Sequence, residues 1–503
     1  MNRTQFLFVV FGIVPALASA KASEPVHLLE SEVKPGPPQI EPEERTIEPP
    51  VITLRDRIRI EDEEDNPKDD TTKEEHLGQQ RVYYNGSQLW KVKVDNRDKI
   101  EVLVKLRDEK DISMWGGNVS SLDVLVKPGS IHKVNEIFKD YNFSYKVVID
   151  DLQKAIDEEN PIEVELDDRR AKRLPVQTIM AWRGVTSLGN KLELWPNANW
   201  GHRLTWQAYH RLNDIYGYMD YLAETYPDLC SVQTIGKSIQ GRPIKVLKVS
   251  GKKNTKRAIW VDGGIHAREW ISPATVTYII NQFVANFESE PTYIQNTDWY
   301  FAPVLNPDGY EYSHTVDRLW RKNRRSGGQC SGIDLNRNFR YKWGGKGASK
   351  NPCTETFGGS RAFSEPETES IERFILGLNS TTQWKAYISF HSYGQYILYP
   401  WGYDRVVPPD YQDLDRVGHK AAQAIRSAGG PQYTVGGAGR TLYPASGGSD
   451  DWAKGVVRMK YAYTIELRDN GRYGFVLPAS YIQPTAWEAL AAVKVIAEAA
   501  YVA

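Results

Sequence analysis

The sequence predicts an α/β fold for its large C-terminal part, with helices covering both faces of a mainly parallel sheet, preceded by a smaller α+β unit. Three observations predict it. Past about residue 201, apolar strand candidates alternate with helices to the end of the chain: AIWVDGG (258–264), WYFAPV (299–304), AYISF (386–390) and YAYTIEL (461–467). Between Arg81 and Leu166 a shorter alternation occurs, with LWKVKV, SLDVLVKP and YKVVID separated by the charged stretches DKIEVLVKLRDEK, SIHKVNEIFKDY and DDLQKAIDEEN. The composition is globular, 41% hydrophobic and 25% charged, and three cysteines in 503 residues are too few for a disulfide scaffold.

Residues 1–20 read as a secretory signal peptide. Arg3 precedes an apolar stretch from Phe6 to Leu17, and Ala18-Ser19-Ala20 supplies a small-x-small cleavage signal. The stretch is shorter than a spanning helix and Pro15 interrupts it, which argues against a membrane anchor. The mature chain is therefore expected outside the cell, with no membrane insertion, and Asn85, Asn118, Asn142 and Asn379 become usable glycosylation acceptors there. Residues 21–78 are acidic and Pro-rich without apolar periodicity, and read as a disordered segment, a solvated spacer rather than an interaction tail. Residues 79–166 form the small α+β unit. In the linker, 167–200, Arg169, Arg170, Lys172 and Arg173 cluster between two folded units, which suits either a proteolytic activation site or an unprocessed spacer. The large domain spans 201–503. One of its helices is expected to open at Ser272-Pro273, with Ser as N-cap and Pro in the first turn. A net charge of −1 gives no support to nucleic-acid binding.

The residues able to carry chemistry fall where strands end, the usual site position in α/β sheets. Gly263-Gly264-Ile265-His266-Ala267-Arg268-Glu269 places a histidine and a carboxylate three apart between a strand and a helix. A catalytic zinc takes three ligands of this sort and leaves one position for water; His391 is the best third candidate among nine histidines. Alone, the pair is compatible with an ordinary surface contact. Asp334 can accept the free ring N–H of a ligating histidine. Asn336 and Arg337 suit a carboxylate, Arg by its bidentate fork. Glu466 ends an apolar strand, where a buried carboxylate can act as general base.

Taken together, HAREWISPA, LNPDGY, LWRKNR, GIDLNRNF, FHSYGQ, ASGGSDDWA and ELRDNGRYGFVLPA closely resemble the secreted zinc metallocarboxypeptidases of the pancreatic A/B type, in their procarboxypeptidase form. The likeness runs from about residue 81 to the C-terminus. It implies a mixed, largely parallel catalytic sheet and a ferredoxin-like activation prodomain that caps the cleft until a trypsin-like protease cuts the linker. It implies one Zn²⁺ on His266, Glu269 and His391, with Asp334 behind the ligands. Glu466 matches the general base and Arg324 the arginine that stabilises the oxyanion. Asn336, Arg337 and Tyr443 match the trio binding the substrate's terminal carboxylate, and Arg268 a contact to the penultimate residue. Such a clamp makes an exopeptidase acting on peptide or protein C-termini, because an internal bond offers Arg337 no carboxylate. It also argues against an amidase acting on non-peptide acyl groups, and the retained base and ligands argue against a binding protein on the same fold.

By the same resemblance Ser389, Leu398, Gly402, Ala438, Leu442, Ala445, Gly448, Asp450 and Thr464 line the side-chain pocket. Asp450 stands at its floor, where basic-specific members carry Asp, so a preference for C-terminal Lys or Arg is expected. The alternative is an Asp450 turned aside or paired, leaving a broad pocket for apolar termini. Cys330 and Cys353 match the family disulfide, closing a loop worth about 3 kcal/mol; Cys230 is left as a buried thiol, and a monomer is expected. Two departures stand out. One residue is inserted between Trp452 and Glu466, which threatens the register of Glu466, and Ser389 replaces a common Asn.

Overall fold

Two β-sheets organise the chain. A computed structural model describes residues 80–118, 120–160, 202–252 and 255–503. The expected signal peptide, acidic segment and basic cluster lie outside the described residues. The first sheet belongs to a βαββαβ unit. Its elements are β1 (Gln88–Lys93), α1 (Arg97–Asp108), β2 (Ile112–Asn118), β3 (Ser121–Val126), α2 (Ile131–Asp140) and β4 (Ser144–Ile149), followed by α3 (Leu152–Glu159). The strands pair antiparallel in the order β2-β3-β1-β4. Asn96 caps α1 by accepting the Lys99 N–H, and Asp151 caps α3 by accepting from Gln153 and Lys154. Trp90, Val92, Val124 and Val126 pack under Leu103, Leu106, Val134 and Phe138. Sequence patterning missed β2, because Trp115-Gly116-Gly117 interrupts its alternation and its register shifts between Met114 and Gly116. Gly117 has φ +119, and a Cβ there would lie 2.2 Å from the Ser121 carbonyl oxygen, so the position requires glycine.

The large unit comprises α4 (Leu212–Thr225), β5 (Cys230–Lys237), β6 (Pro243–Val249), β7 (Arg257–Asp262), α5 (Ile271–Asn286), β8 (Asp298–Ala302), α6 (Pro307–Thr315), α7 (Pro366–Gly377), β9 (Gln383–His391), β10 (Tyr396–Tyr399), α8 (Tyr411–Ser427), β11 (Thr434–Gly437), β12 (Tyr461–Glu466) and α9 (Ile482–Val502). Its strands run β11-β10-β12-β9-β7-β8-β6-β5. The middle four, β12, β9, β7 and β8, are mutually parallel, whereas β10 lies antiparallel to β12, and β6 to both β8 and β5. The sheet is thus mixed and largely parallel at its centre. Successive strand residues feed opposite cores: Ile259, Val261, Ile388 and Phe390 join the helices α4, α5, α8 and α9, while Ala258, Trp260, Tyr387 and Ala462 pack with α7 and Trp452. Burial on both faces explains why these strands read as unbroken apolar runs.

Two local expectations change. Helix α5 begins at Ile271 behind Trp270, so Ser272 is not its N-cap; Pro273 does lie in the first turn. A π-helical turn, Ala453–Val457, closed by Arg458 at φ +67, precedes β12, whose Glu466 pairs with His391. Strand β12 therefore keeps its register. The Cys330–Cys353 disulfide is formed, and Cys230 is buried at the start of β5, where burial pushes its thiol up to about 12.

Behind the sheet, Asp308, Glu365 and Glu367 are fully buried. Asn323 Nδ2 donates to both glutamates, at 2.7 and 3.2 Å, Arg325 pairs with Glu365, and Arg242 and Ser238 bind Asp308. Burial, aided by the Glu365 and Asp308 charges, pushes the Glu367 carboxyl up to about 7 from an ordinary 4.5. A carboxyl raised in the fold contributes stability below its unfolded value, and that contribution is lost as pH climbs to the folded value. Thermal denaturation of Glu367→Gln should therefore match the parent at pH 4 and exceed it by pH 8, the gap opening between pH 4.5 and 7.

Candidate metal centre and substrate cleft

The carboxyl ends of β7, β9 and β12 meet at one edge of the sheet, and each delivers a polar group there. Strand β7 stops at Asp262, and Gly263-Gly264 turns the chain, with Gly264 at φ +63. A Cβ at Gly264 would press on the Pro303 carbonyl oxygen at 3.0 Å. The turn leads to His266 and Glu269 before α5 begins. His391 is the last residue of β9 and Glu466 the last of β12, and the two are direct register partners.

His266, Glu269 and His391 are all buried, with one ligand atom from each within 4.8 Å of the others. His266 Nδ1 lies 2.7 Å from Glu269 Oε1, and His391 Nδ1 lies 3.1 Å from Glu269 Oε2. The two Nδ1 atoms are 3.2 Å apart. Two imidazole nitrogens and a carboxylate converging at such spacing form a His₂Glu set that fits tetrahedral zinc, whose bonds of about 2 Å place neighbouring ligands slightly over 3 Å apart. The outer contacts fit as well. The far nitrogen of His266, Nε2, donates to Asp334 Oδ1 at 3.2 Å, which directs Nδ1 inward. The Ser392 amide donates to Glu269 Oε2 at 3.1 Å. Burial and then the Arg321 charge lower the His266 pKa, favouring the neutral ring a metal needs. Burial alone would raise Asp334, but Arg321 and Arg337 hold it well below the usual carboxylate range.

Glu466 faces the same cleft as the three ligands. Burial pushes its carboxyl up to about 7, against the pull of His391, so near neutral pH it can both take and return a proton. Asp334 accepts the Asn336 N–H at 3.0 Å and so fixes the turn that presents Asn336 and Arg337 to the cleft. Arg337 is braced by the carbonyls of Gly347 and Asn336, and Asn336 Oδ1 accepts the Ser449 N–H. Tyr443 stands at the rim, 44% exposed. Asp450 lines the cleft at 6% exposure, while its neighbour Asp451 turns away to accept the Gly402 and Tyr403 amides at 2.7 and 2.8 Å. Leu398, Gly402, Ala438, Leu442, Ala445, Gly448 and Thr464 complete the pocket wall.

Three expectations are placed differently. Arg324 does not line the cleft: its guanidinium stacks over Tyr312 at 3.5 Å and Trp320 at 4.4 Å, an aromatic clamp that holds it aside. Arg321 occupies the cleft instead, with Nη1 3.3 Å from His266 Nδ1 and two nitrogens on Asp334 Oδ2 at 2.9 and 3.2 Å. Both arginines sit in Trp320-Arg321-Lys322-Asn323-Arg324, and the Ala267 N–H donates to the Arg321 carbonyl. Ser389 does not line the pocket either, since its hydroxyl donates to the buried Asp262 at 2.6 Å. Arg268 is buried beside the cleft rather than in its lining, over Phe475 at 4.2 Å and bonded to the Leu319 carbonyl and Glu355.

The small N-terminal unit closes this cleft. Trp115, Gly116 and Gly117 of β2 line it, and Trp115 packs on Phe475 with ring centres 5.2 Å apart. Tyr393 donates to Asp123 at 2.8 Å, Tyr84 donates to Asp317 at 2.7 Å, and Glu159 pairs with the buried Arg318. Leu89, Leu125, Ile149, Leu152 and Ile156 share an apolar cluster with Leu319, Phe475 and Val476. Sequence patterning missed these contacts together with β2.

Comparison with known proteins agrees with this geometry. The zinc carboxypeptidase family profile matches residues 215–492, and the carboxypeptidase activation peptide profile matches residues 90–159. Carboxypeptidase B of Astacus astacus is 46% identical over 297 residues, covering 58% of this chain and 97% of that protein. Carboxypeptidase A4 of Mus musculus is 38% identical over 431 residues, covering 83% and 94%. Among solved structures, thrombin activatable fibrinolysis inhibitor superposes with a TM-score of 0.71 at 31% identity, covering 83% of this chain and 99% of the other. Carboxypeptidase A from Helicoverpa armigera gives 0.69 at 28%, covering 84% and 98%. With its His-Glu-His centre intact and an activation peptide seated over the cleft, the chain belongs to the zinc carboxypeptidases.

Proposed function

We propose that the protein is a secreted zymogen whose mature form removes C-terminal Lys and Arg from peptides and proteins. Its relatives bear the names of both A and B types, so the specificity reading rests on one observation, the buried Asp450 among small and apolar neighbours. A carboxylate in so dry a pocket favours a cationic side chain and disfavours Phe, which would bury it unpaired. Leu398 and Leu442 offer apolar walls to the methylene stem of Lys or Arg.

In this reading Arg337, Asn336 and Tyr443 grip the terminal carboxylate, and the peptide carbonyl lies beside Arg321. A zinc ion held by His266, Glu269 and His391 would lower the pKa of its water to about 7 and polarise the scissile carbonyl. Glu466 takes the proton released by the attacking water and returns it to the leaving amine. Arg321 takes over the oxyanion role expected of Arg324, since its guanidinium borders the ligands and the other is stacked away. Arg268, with its buried Nε, faces the penultimate residue once the activation peptide leaves. The basic cluster Arg169 to Arg173 is the proposed cut for a trypsin-like protease. Exposed Asn85, Asn142 and Asn379 are compatible with glycosylation of a secreted monomer.

Three outcomes test this. After trypsin treatment and trypsin removal, release of C-terminal Arg from blocked dipeptides should exceed release of Phe and stop with a zinc chelator; a preference for Phe would reject the basic specificity. Asp450→Ile should lower kcat/KM for Arg substrates by roughly 10²–10³, the cost of stranding a buried charge, and raise it for Phe. Arg321→Ala should lower kcat by about 10² or more, whereas Arg324→Ala should change it little; equal losses would return the role to Arg324.

A further inference from the structure

The β7–β9 ladder ends one step short of the metal ligands. Its last register pair is Asp262 with Ser389. Beyond Asp262 the chain swings away through Gly263 and Gly264, while β9 continues through Phe390 to His391. Phe390 therefore has no β7 residue beside it. Ser272, in the first turn of α5 and 0% exposed, stands in the vacated place. Its hydroxyl donates to the Phe390 carbonyl at 2.6 Å and accepts the Gly264 N–H at 3.0 Å. One hydroxyl thus continues the ladder between the segment leading to His266 and the strand ending in His391. The approach is close enough that a Cβ on Gly263 would lie 2.6 Å from the Ser272 Oγ.

Two other bridges flank this one. Ser389 Oγ donates to Asp262 Oδ1 at 2.6 Å on one side, and the Ser392 N–H donates to Glu269 Oε2 at 3.1 Å on the other. Residues 389, 390 and 392 are each tied to the stretch 262–272, so His391 is braced on both sides. Ser272 is the member of this set that touches both backbones without touching any ligand side chain.

We propose that Ser272 is a positioning residue of the zinc centre, its hydroxyl setting the separation between His266 and His391. A helix-capping role does not explain its placement, because the hydroxyl bonds to the β7 turn and to β9 rather than to α5. The proposal rests on the metal centre and is independent of which C-terminal residue the enzyme removes.

The test is zinc affinity by chelator competition, with the Co²⁺-substituted absorption spectrum as a second readout, on parent, Ser272→Ala, Ser272→Cys and Ser272→Thr. Thr275→Val is the control, because Thr275 is equally buried on the same helix and its hydroxyl has no partner among the described residues. Loss of an outer-contact residue should weaken zinc binding by about 10-fold or more in Ser272→Ala, shift the Co²⁺ bands and lower kcat more than it raises KM. Ser272→Thr, which keeps the hydroxyl, should restore affinity, and Ser272→Cys, with a weaker donor, should fall between. Parental zinc affinity in a folded Ser272→Ala, or an equal loss in Thr275→Val, would overturn the proposal. Should Ser272→Ala fail to fold, the Cys and Thr variants decide: equal affinity in the two contradicts a hydroxyl-specific role.

Discussion

A one-residue slip of β12 against β9 would turn Glu466 to the opposite face and break the site, so parallel strand register is the constraint on which everything else depends. Pairing of Glu466 with His391, and of Asp262 with Ser389, fixes both in the central sheet. The apolar cores on both faces hold that register, since shifting any central strand would exchange residues between two differently shaped interiors. The π-helical turn at Ala453–Val457 shows the same constraint from another side. The backbone bulges there, and β12 enters the sheet with Glu466 opposite His391.

Around this frame the electrostatics form a graded set. Asp334 links His266 to Arg321 and fixes the Asn336 N–H, so one fully buried carboxylate orients a metal-site histidine, a cation and the turn that carries Asn336 and Arg337. Its negative charge is tolerated because two arginines face it. Glu466 has less compensation, and its raised pKa follows from burial. Of the two neighbouring buried acids, Asp451 accepts the Gly402 and Tyr403 amides and Asp450 lines the cleft. The activation peptide closes the cleft with different means. Gly116 and Gly117 bring backbone to the cleft wall, while Trp115, Asp123 and Glu159 supply the packing and polar contacts.

Much of the fold and most of the centre were legible in the sequence. Strands β7, β8, β9 and β12 announce themselves as apolar runs because both their faces are buried. His266, Glu269 and His391 stand out as candidates in the sequence, and the family resemblance is what makes them a ligand set. What stayed hidden depended on tertiary partners. Arg321 and Arg324 are indistinguishable along the chain, and only the Tyr312 and Trp320 rings separate them. Ser before Pro reads as a helix cap, but the Ser272 hydroxyl bonds to the Gly264 N–H and to a β9 carbonyl over a hundred residues away. Ser389 was assigned to the pocket although Asp262 claims its hydroxyl. Strand β2 was missed because the two glycines that let it enter the cleft also erase its alternation.

Sheet register, together with the bonds of Ser272 and Asp334, positions the metal centre before any ion is bound, so the centre is imposed on a finished fold. Hydrogen exchange of the zinc-loaded and chelator-treated protein tests this most directly. Added exchange on metal removal should be confined to backbone near residues 263–272 and 391–395, with β7, β9 and β12 keeping their protection. Loss of protection throughout the central strands would contradict it, because the metal would then be holding the sheet together.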